Sequence, residues 1–160
     1  METQIAKNEC FEAIGEAATN TEYIDLILMN TYRVVAGDSL DHAKTIFYGL
    51  DSVKARREIT WKLARANGYG AEAITLLEEL ARAAKVANIA RIELTRTFMR
   101  CSGEEDNPGI DLDDSSLIAR PITGTYLEKR VKRTTKSVAE ARDLYDRLCK
   151  MLEVSPEIMC

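Results

Sequence analysis

The sequence predicts an all-α fold, a helical bundle of four main helices and one short helix. Apolar residues recur with the 3.6-residue period of amphipathic helices along most of the chain. Glycine and proline, at eight and three of 160 residues, are too few for a fold with many short turns. A chain of this length is the size of one domain and can surround a single core. We therefore expect one helical domain over residues 1–160, with its core in residues 5–99 and 135–153.

The first predicted helix spans residues 5–36 and is followed by a short helix over residues 40–50. Gly37 marks the end of the first, because glycine readily adopts the left-handed conformation that follows a helix. Asp38 or Ser39 opens the second, since both residue types cap helix N-termini.

The first helix carries more apolar surface than one seam of a bundle needs. Its second apolar face consists of Ile24, Ile27, Leu28, Val34 and Val35. A large apolar face without a partner in its own chain indicates protein association. The sequence therefore predicts that the partner is a second copy, which would form a homodimer.

Two further helices are predicted over residues 53–66 and 71–99, separated by the glycine-rich stretch 67–70. Residues 101–119 hold six acids and no base, a composition that predicts an irregular acidic loop. Residues 120–134 alternate weakly and predict irregular or extended chain. The last helix then begins at the capping box of Ser137 and Glu140. The predicted irregular segment is thus residues 101–134.

The composition favours a cytoplasmic protein with no membrane partner. No apolar run approaches the roughly 20 residues of a membrane span, and residues 1–20 are too acidic for a signal or transit peptide. The formal net charge of −4 implies no bulk attraction to nucleic acid or anionic lipid.

The cysteines and the histidine predict neither a metal site nor a cofactor. The cysteines, which lie too far apart for a zinc or redox motif, are Cys10, Cys101, Cys149 and Cys160. His42 is the only histidine, so a histidine-rich metal site is excluded. We expect it to be partly exposed in the first turn of the short helix, although it could serve as a general base. Nucleotide-binding glycine motifs and HExxH are absent.

Charged residues interrupt the apolar faces of three predicted helices. Arg91 and Arg56 project from inner faces, and Glu22 and Asp25 share a side with apolar residues of the first helix. An unpaired buried charge costs several kcal/mol, so we expect Arg56 or Arg91 to contact Glu22 or Asp25. The cluster is either a structural polar network or a cleft that binds an anion such as an RNA phosphate.

Two basic surfaces allow a weaker nucleic-acid hypothesis. One is a solvated stripe on the fourth predicted helix, formed by Arg82, Lys85, Arg96 and Arg100. The other lies near Tyr126 and consists of Lys129, Arg130, Lys132 and Arg133. The second group either contacts a nucleic-acid backbone or balances the acidic loop, within the chain or across a dimer.

The stretches AKTIFYGLDSVKARREI (43–59) and LLEELARAAKVANIARIEL (76–94) resemble a group of uncharacterised bacterial helical proteins related to the HEPN superfamily. The resemblance covers roughly residues 9–99. It implies a helical bundle that dimerises. Many members of that superfamily are metal-independent ribonucleases of toxin or antiphage systems, which use an Arg-x(4–6)-His pair.

The catalytic pair of the HEPN motif is not preserved here. Asn88 matches the asparagine of the motif, but Ala87 stands at the arginine position and Ile92 or Glu93 at the histidine position. Without an imidazole there is no evident acid–base group for RNA cleavage. The sequence therefore favours a non-catalytic, homodimeric association protein, with a metal-independent ribonuclease as the alternative. Its candidate site, structural or anion-binding, consists of Arg56, Arg91, Glu22, Asp25 and Asn88.

Overall fold

The computed structural model describes residues 7–102 and 123–159, and these stretches contain helices and no strand. The five helices are α1 (Lys7–Ala36), α2 (Leu40–Tyr48), α3 (Val53–Ala66), α4 (Ala71–Ser102) and α5 (Gly124–Met151). The prediction of an all-α fold with four main helices and one short helix is confirmed. The acidic loop predicted over residues 101–119 lies outside the described residues, except for its first two, which end α4.

Local capping fixes the break between α1 and α2. Gly37 has a φ of 69°, and Asp38 donates its N–H to the carbonyl of Arg33 at 3.1 Å, which closes a Schellman motif. Ser39 is the N-cap of α2, where its hydroxyl accepts the N–H of His42 at 3.3 Å. The alternative between Asp38 and Ser39 is thus decided for Ser39.

The prediction of irregular or extended chain over residues 120–134 is wrong from Gly124 onward, because α5 begins there, whereas residues 120–122 lie outside the described residues. Thr123 is its N-cap, and Ser137 is a buried residue in the middle of the helix. The inward positions of α5 follow an alternating four- and three-residue spacing: Leu127, Val131, Thr134, Val138, Ala141, Tyr145 and Leu148. A fully buried threonine occupies one of these positions, which hid the apolar repeat.

The three long helices form a bundle in which α1 and α5 run parallel and α4 runs antiparallel to both. At one end, Ala13 of α1, Leu94 of α4 and Leu127 of α5 belong to one apolar cluster. The larger cluster joins the C-terminal halves of α1 and α5 to the N-terminal half of α4. Helices α2 and α3 pack on α1 at this second end, and α3 also packs on α4.

Helix α1 is covered by other helices of the chain on several sides, so its second apolar face is not available to a partner. In that face Ile24, Ile27, Leu28 and Val35 are at most 3% exposed within the single chain, and Val34 is half-buried. The face expected to be free for a partner is therefore filled by the chain's own helices. The argument for a homodimer that rested on it is overturned.

The long helices are amphipathic, with charged residues along their outer faces. Within the described stretches, none has a segment apolar enough and long enough to span a bilayer.

Candidate functional site

An ion pair between α1 and α3 lies at the centre of the predicted charge cluster. Asp25 is 8% exposed, and Nη1 of Arg56 donates to its Oδ2 across 3.3 Å. The expectation that Arg56 or Arg91 contacts Glu22 or Asp25 is confirmed for the pair Arg56 and Asp25. Pairing explains how a carboxylate is tolerated inside a helix interface, where an isolated charge would be costly.

The Asp25 carboxylate is surrounded by charges of both signs. Burial raises the pKa of Asp25 above its ordinary value of 3.8, and the Glu22 carboxylate adds to this increase. The guanidinium groups of Arg56, Arg57 and Arg91 act in the opposite direction, but burial prevails and the net pKa is raised. The sequence reasoning missed Arg57, although it directly follows Arg56.

Arg91 and Asn88 lie one turn apart on α4 and contact each other. Nη2 of Arg91 donates to Oδ1 of Asn88 at 3.0 Å. Arg91 is half-buried, and in the described part of the chain it forms no ion pair within 4 Å. Glu22 is exposed, so its predicted inward position is wrong. Its carboxylate still acts on Asp25 through its charge.

The structure thus brings the predicted site residues together at one place, the α1/α3/α4 junction. Its members are Glu22, Asp25, Arg56, Arg57, Asn88 and Arg91. The charges that act on Asp25 are the guanidinium groups of Arg56, Arg57 and Arg91 and the Glu22 carboxylate, and of these Arg56 forms the direct ion pair.

The junction offers no imidazole for acid–base chemistry. His42 is bound elsewhere, with its Nδ1 2.9 Å from Oδ1 of Asp38, and it is exposed as predicted. Among the described residues, no group of three or more His, Cys, Asp or Glu side chains could hold a metal ion. Guanidinium groups commonly bind anionic groups in proteins, and the junction has three of them.

The two predicted basic surfaces are partly neutralised by ion pairs. Arg130 binds Glu93 of α4 at 2.9 Å and lies over the ring of Tyr126. Lys132 pairs with Glu128 at 2.6 Å within α5. On α4, Arg82 pairs with Glu79 at 3.5 Å, and the side chain of Arg100 lies outside the described residues. These pairs favour the interpretation of a solvated helix surface.

A groove of about 690 Å³ between the N-terminal halves of α1 and α5 was not predicted. Its apolar lining residues are Ala13, Leu127, Val131 and Ala139. Its α1 wall carries Glu9, Glu12 and Glu16, and its α5 wall carries Lys132, Lys136 and Glu128. Sequence reasoning could not find this groove, because it placed the N-cap of α5 at Ser137, fourteen residues after the observed N-cap Thr123.

Comparison of the chain with family models, with curated proteins and with solved structures gave no match.

Proposed function

We propose that this protein is a non-catalytic association module that forms a homodimer through the α1/α5 groove. The observation that carries the proposal is the opposite charge of the two walls. Three glutamates line the α1 side, whereas the α5 side carries Lys132 and Lys136 against one acid, Glu128, which pairs with Lys132. Two further bases, Lys129 and Arg133, are exposed on α5 outside the lining of the groove. A surface with one acidic and one basic wall is complementary to its own copy.

A two-fold axis parallel to the groove brings unlike walls together. Since α1 and α5 run parallel, this rotation places α1 of each copy opposite α5 of the other at the same height. Glu12 and Glu16 of one copy then face Lys132 and Lys136 of the other. A two-fold axis across the groove would instead oppose like charges, so the charges select one arrangement.

The size of the groove sets the expected strength of the dimer. Twelve residues line it, against the roughly 20–30 residues a side of a standard stable interface. We therefore expect a dissociation constant in the micromolar range that rises with salt, because exposed charge pairs are screened.

Charge reversal on each wall tests the arrangement. We define the acid-wall variant as Glu12→Lys with Glu16→Lys, and the basic-wall variant as Lys132→Glu with Lys136→Glu. Sedimentation equilibrium at low salt should show each variant alone at least tenfold weaker in self-association than the parent chain. An equimolar mixture should regain the dimer, because both contacts of the mixed pair again join unlike charges.

A matched control carries two reversals away from the groove, at the exposed acids Asp51 and Glu72. It should associate like the parent chain. A mixture of the two wall variants that stays monomeric would contradict the proposal, and so would a control that is as weak as either variant.

A second candidate function is binding of RNA phosphate at the α1/α3/α4 junction, with RNA cleavage as its catalytic form. The three guanidinium groups at the junction favour it, since that of Arg91 has no carboxylate partner in the described part of the chain. Labelled RNA tests it directly. Arg91→Ala should weaken binding at least tenfold, whereas Arg96→Ala on the exposed side of α4 should not.

The HEPN relationship and the cytoplasmic location remain predictions from the sequence. An association protein with buried thiols at Cys10 and Cys149 is compatible with both.

A further inference from the structure

The chain after α5 turns back and lies along α1 and α5. Glu153 has a φ of 54°, and Val154 donates its N–H to the carbonyl of Cys149 at 3.0 Å, which ends the helix in a Schellman motif. The following residues, up to Met159, are not helical. Their position is therefore fixed by contacts with the two helices and not by a secondary structure of their own.

Three side chains hold this segment, and all of them bind its backbone. Asn30 of α1 donates to the carbonyl of Met159 and accepts the N–H of the same residue, both at 3.0 Å. Tyr145 of α5 donates to the carbonyl of Glu157 at 3.2 Å, and Arg142 donates to that of Pro156 at 3.2 Å. Contacts of this kind capture an extended peptide whatever most of its side chains are.

Asn30 is the unusual member of this group. It is fully buried in α1, where its neighbours Leu28 and Met29 are also buried. Its second amide hydrogen is donated to the carbonyl of Leu26 at 2.9 Å, so both donors and the acceptor of the amide are used. A buried amide that lost the Met159 backbone would keep one of three bonds, which is costly. The side chain is thus matched to a peptide backbone.

The segment itself supplies little anchoring through its side chains. Ile158 packs against the main core, whereas Val154 and Met159 are exposed by 39% and 37%. A gap of about 290 Å³ remains between the segment and the end of α1. Arg33 borders this gap, and its buried Nε has no hydrogen-bond partner among the described residues. The fit is therefore specific for backbone at three positions and for one apolar side chain.

We propose that Asn30, Arg142 and Tyr145 form a binding site for an extended peptide with an apolar residue at the position of Ile158. The chain's own residues 156–159 occupy it and compete with a peptide from a partner. The site lies on the C-terminal halves of α1 and α5, away from the charged groove, so it does not rest on the proposed homodimer.

Residues 156–159 and an added peptide compete for the same site, and this competition determines how binding of the peptide can be measured. A tethered segment acts at an effective concentration in the millimolar range, so it masks the site against a free peptide of similar affinity. Ile158→Asp in the full chain weakens the anchor of the segment and leaves the three binding side chains unchanged. The site then becomes accessible to an added peptide.

The experiment measures the anisotropy of a fluorescent peptide with the sequence of residues 153–159, EVSPEIM. We expect the Ile158→Asp chain to bind it at least tenfold more tightly than the parent chain. Tyr145→Phe in the Ile158→Asp background should weaken binding several-fold, because it deletes one donor to the peptide backbone.

A second peptide tests the contact with Asn30 by a change in the peptide instead of a substitution in the protein. It carries N-methylmethionine in place of the methionine, and so lacks the N–H that Asn30 accepts. This peptide should bind the Ile158→Asp chain at least tenfold more weakly than the unmodified one, whereas a peptide with Gln in place of its second Glu should bind equally well. Equal binding of the N-methylated peptide would overturn the proposal, as would equal binding of the unmodified peptide to the parent and Ile158→Asp chains.

Discussion

Removal of Arg56 tests whether the pair with Asp25 stabilises the fold. In Arg56→Met the apolar stem of the side chain is kept while the charge that faces Asp25 is lost. Removing one partner of a fully buried pair costs about 3–5 kcal/mol. The side chains of Arg56 and Asp25 are 23% and 12% exposed, so solvent reduces this cost. We expect a loss of about 2–3 kcal/mol at pH 7, or roughly 5–10 °C in Tm for a chain of this size.

The pH dependence of this loss identifies its origin. The folded-state pKa of Asp25 is raised above 3.8, so the folded protein holds this proton more tightly than the unfolded chain does. The contribution of protonated Asp25 to the free energy of unfolding is fully present below pH 3.8 and is lost as the pH rises through the raised pKa. Without the Arg56 charge, which lowers that pKa, the pKa rises further. The loss caused by Arg56→Met should therefore shrink when the pH is lowered from 7 to about 4, close to the ordinary pKa of an aspartate.

Urea unfolding followed by circular dichroism at both pH values measures these free energies. Asp25→Asn in the Arg56→Met background should recover most of the loss at pH 7, because the uncompensated charge is gone. Arg65→Met is the matched control, since Arg65 lies on the same helix and its pair with Glu78 is about half exposed. It should cost less than about 1 kcal/mol. The reasoning fails if the loss in Arg56→Met is equal at both pH values and persists after Asp25→Asn is added.

Four single positions provide further tests. Gly37→Ala should lower stability by about 1 kcal/mol, because its φ of 69° strains an alanine. Gly15→Ala, inside α1 with open space around its Cα, should instead raise it by up to about 1 kcal/mol, and urea unfolding measures both. Burial raises the pKa of Tyr145 to about 12, so the parent chain should lose stability between pH 10 and 12, and Tyr145→Phe should lose less over that range. Burial also raises the pKa of the Cys149 thiol, so mass spectrometry should find it unalkylated at pH 8 until urea unfolds the chain.

Local chemistry explains which elements could be predicted from the sequence. Gly37 and Ser39 determine the end of α1 and the start of α2 through interactions within a few residues. The sequence did not predict the start of α5, because Thr134 and Ser137 are polar residues at buried positions. In the sequence, Thr134 resembles a loop residue and Ser137 resembles a helix N-cap. The Thr134 hydroxyl is tolerated inside because it accepts a hydrogen bond from Asn20 of α1 at 3.0 Å, a partner 114 residues away.

The candidate site also has contacts that the sequence predicted and residues whose positions it did not. Helical geometry turns Arg56 and Asp25 inward, and the cost of burying either alone predicts their contact. Whether Glu22 is buried depends on how many helices surround α1. The pattern of residues within one helix does not give that number. Asn30 had no recognisable partner in the sequence, because it binds backbone, and backbone carries no residue-specific signature.

The charged groove and the peptide site share one seam of the bundle. Arg142 follows Gly124 by eighteen residues, which is five full turns, so the groove and the tail contact the same face of α5. Charge reversal in the groove and N-methylation of the peptide act on different contacts, so their effects should be independent if the sites are separate. If the acid-wall variant also changes peptide affinity, association and peptide capture are coupled through α1 and α5.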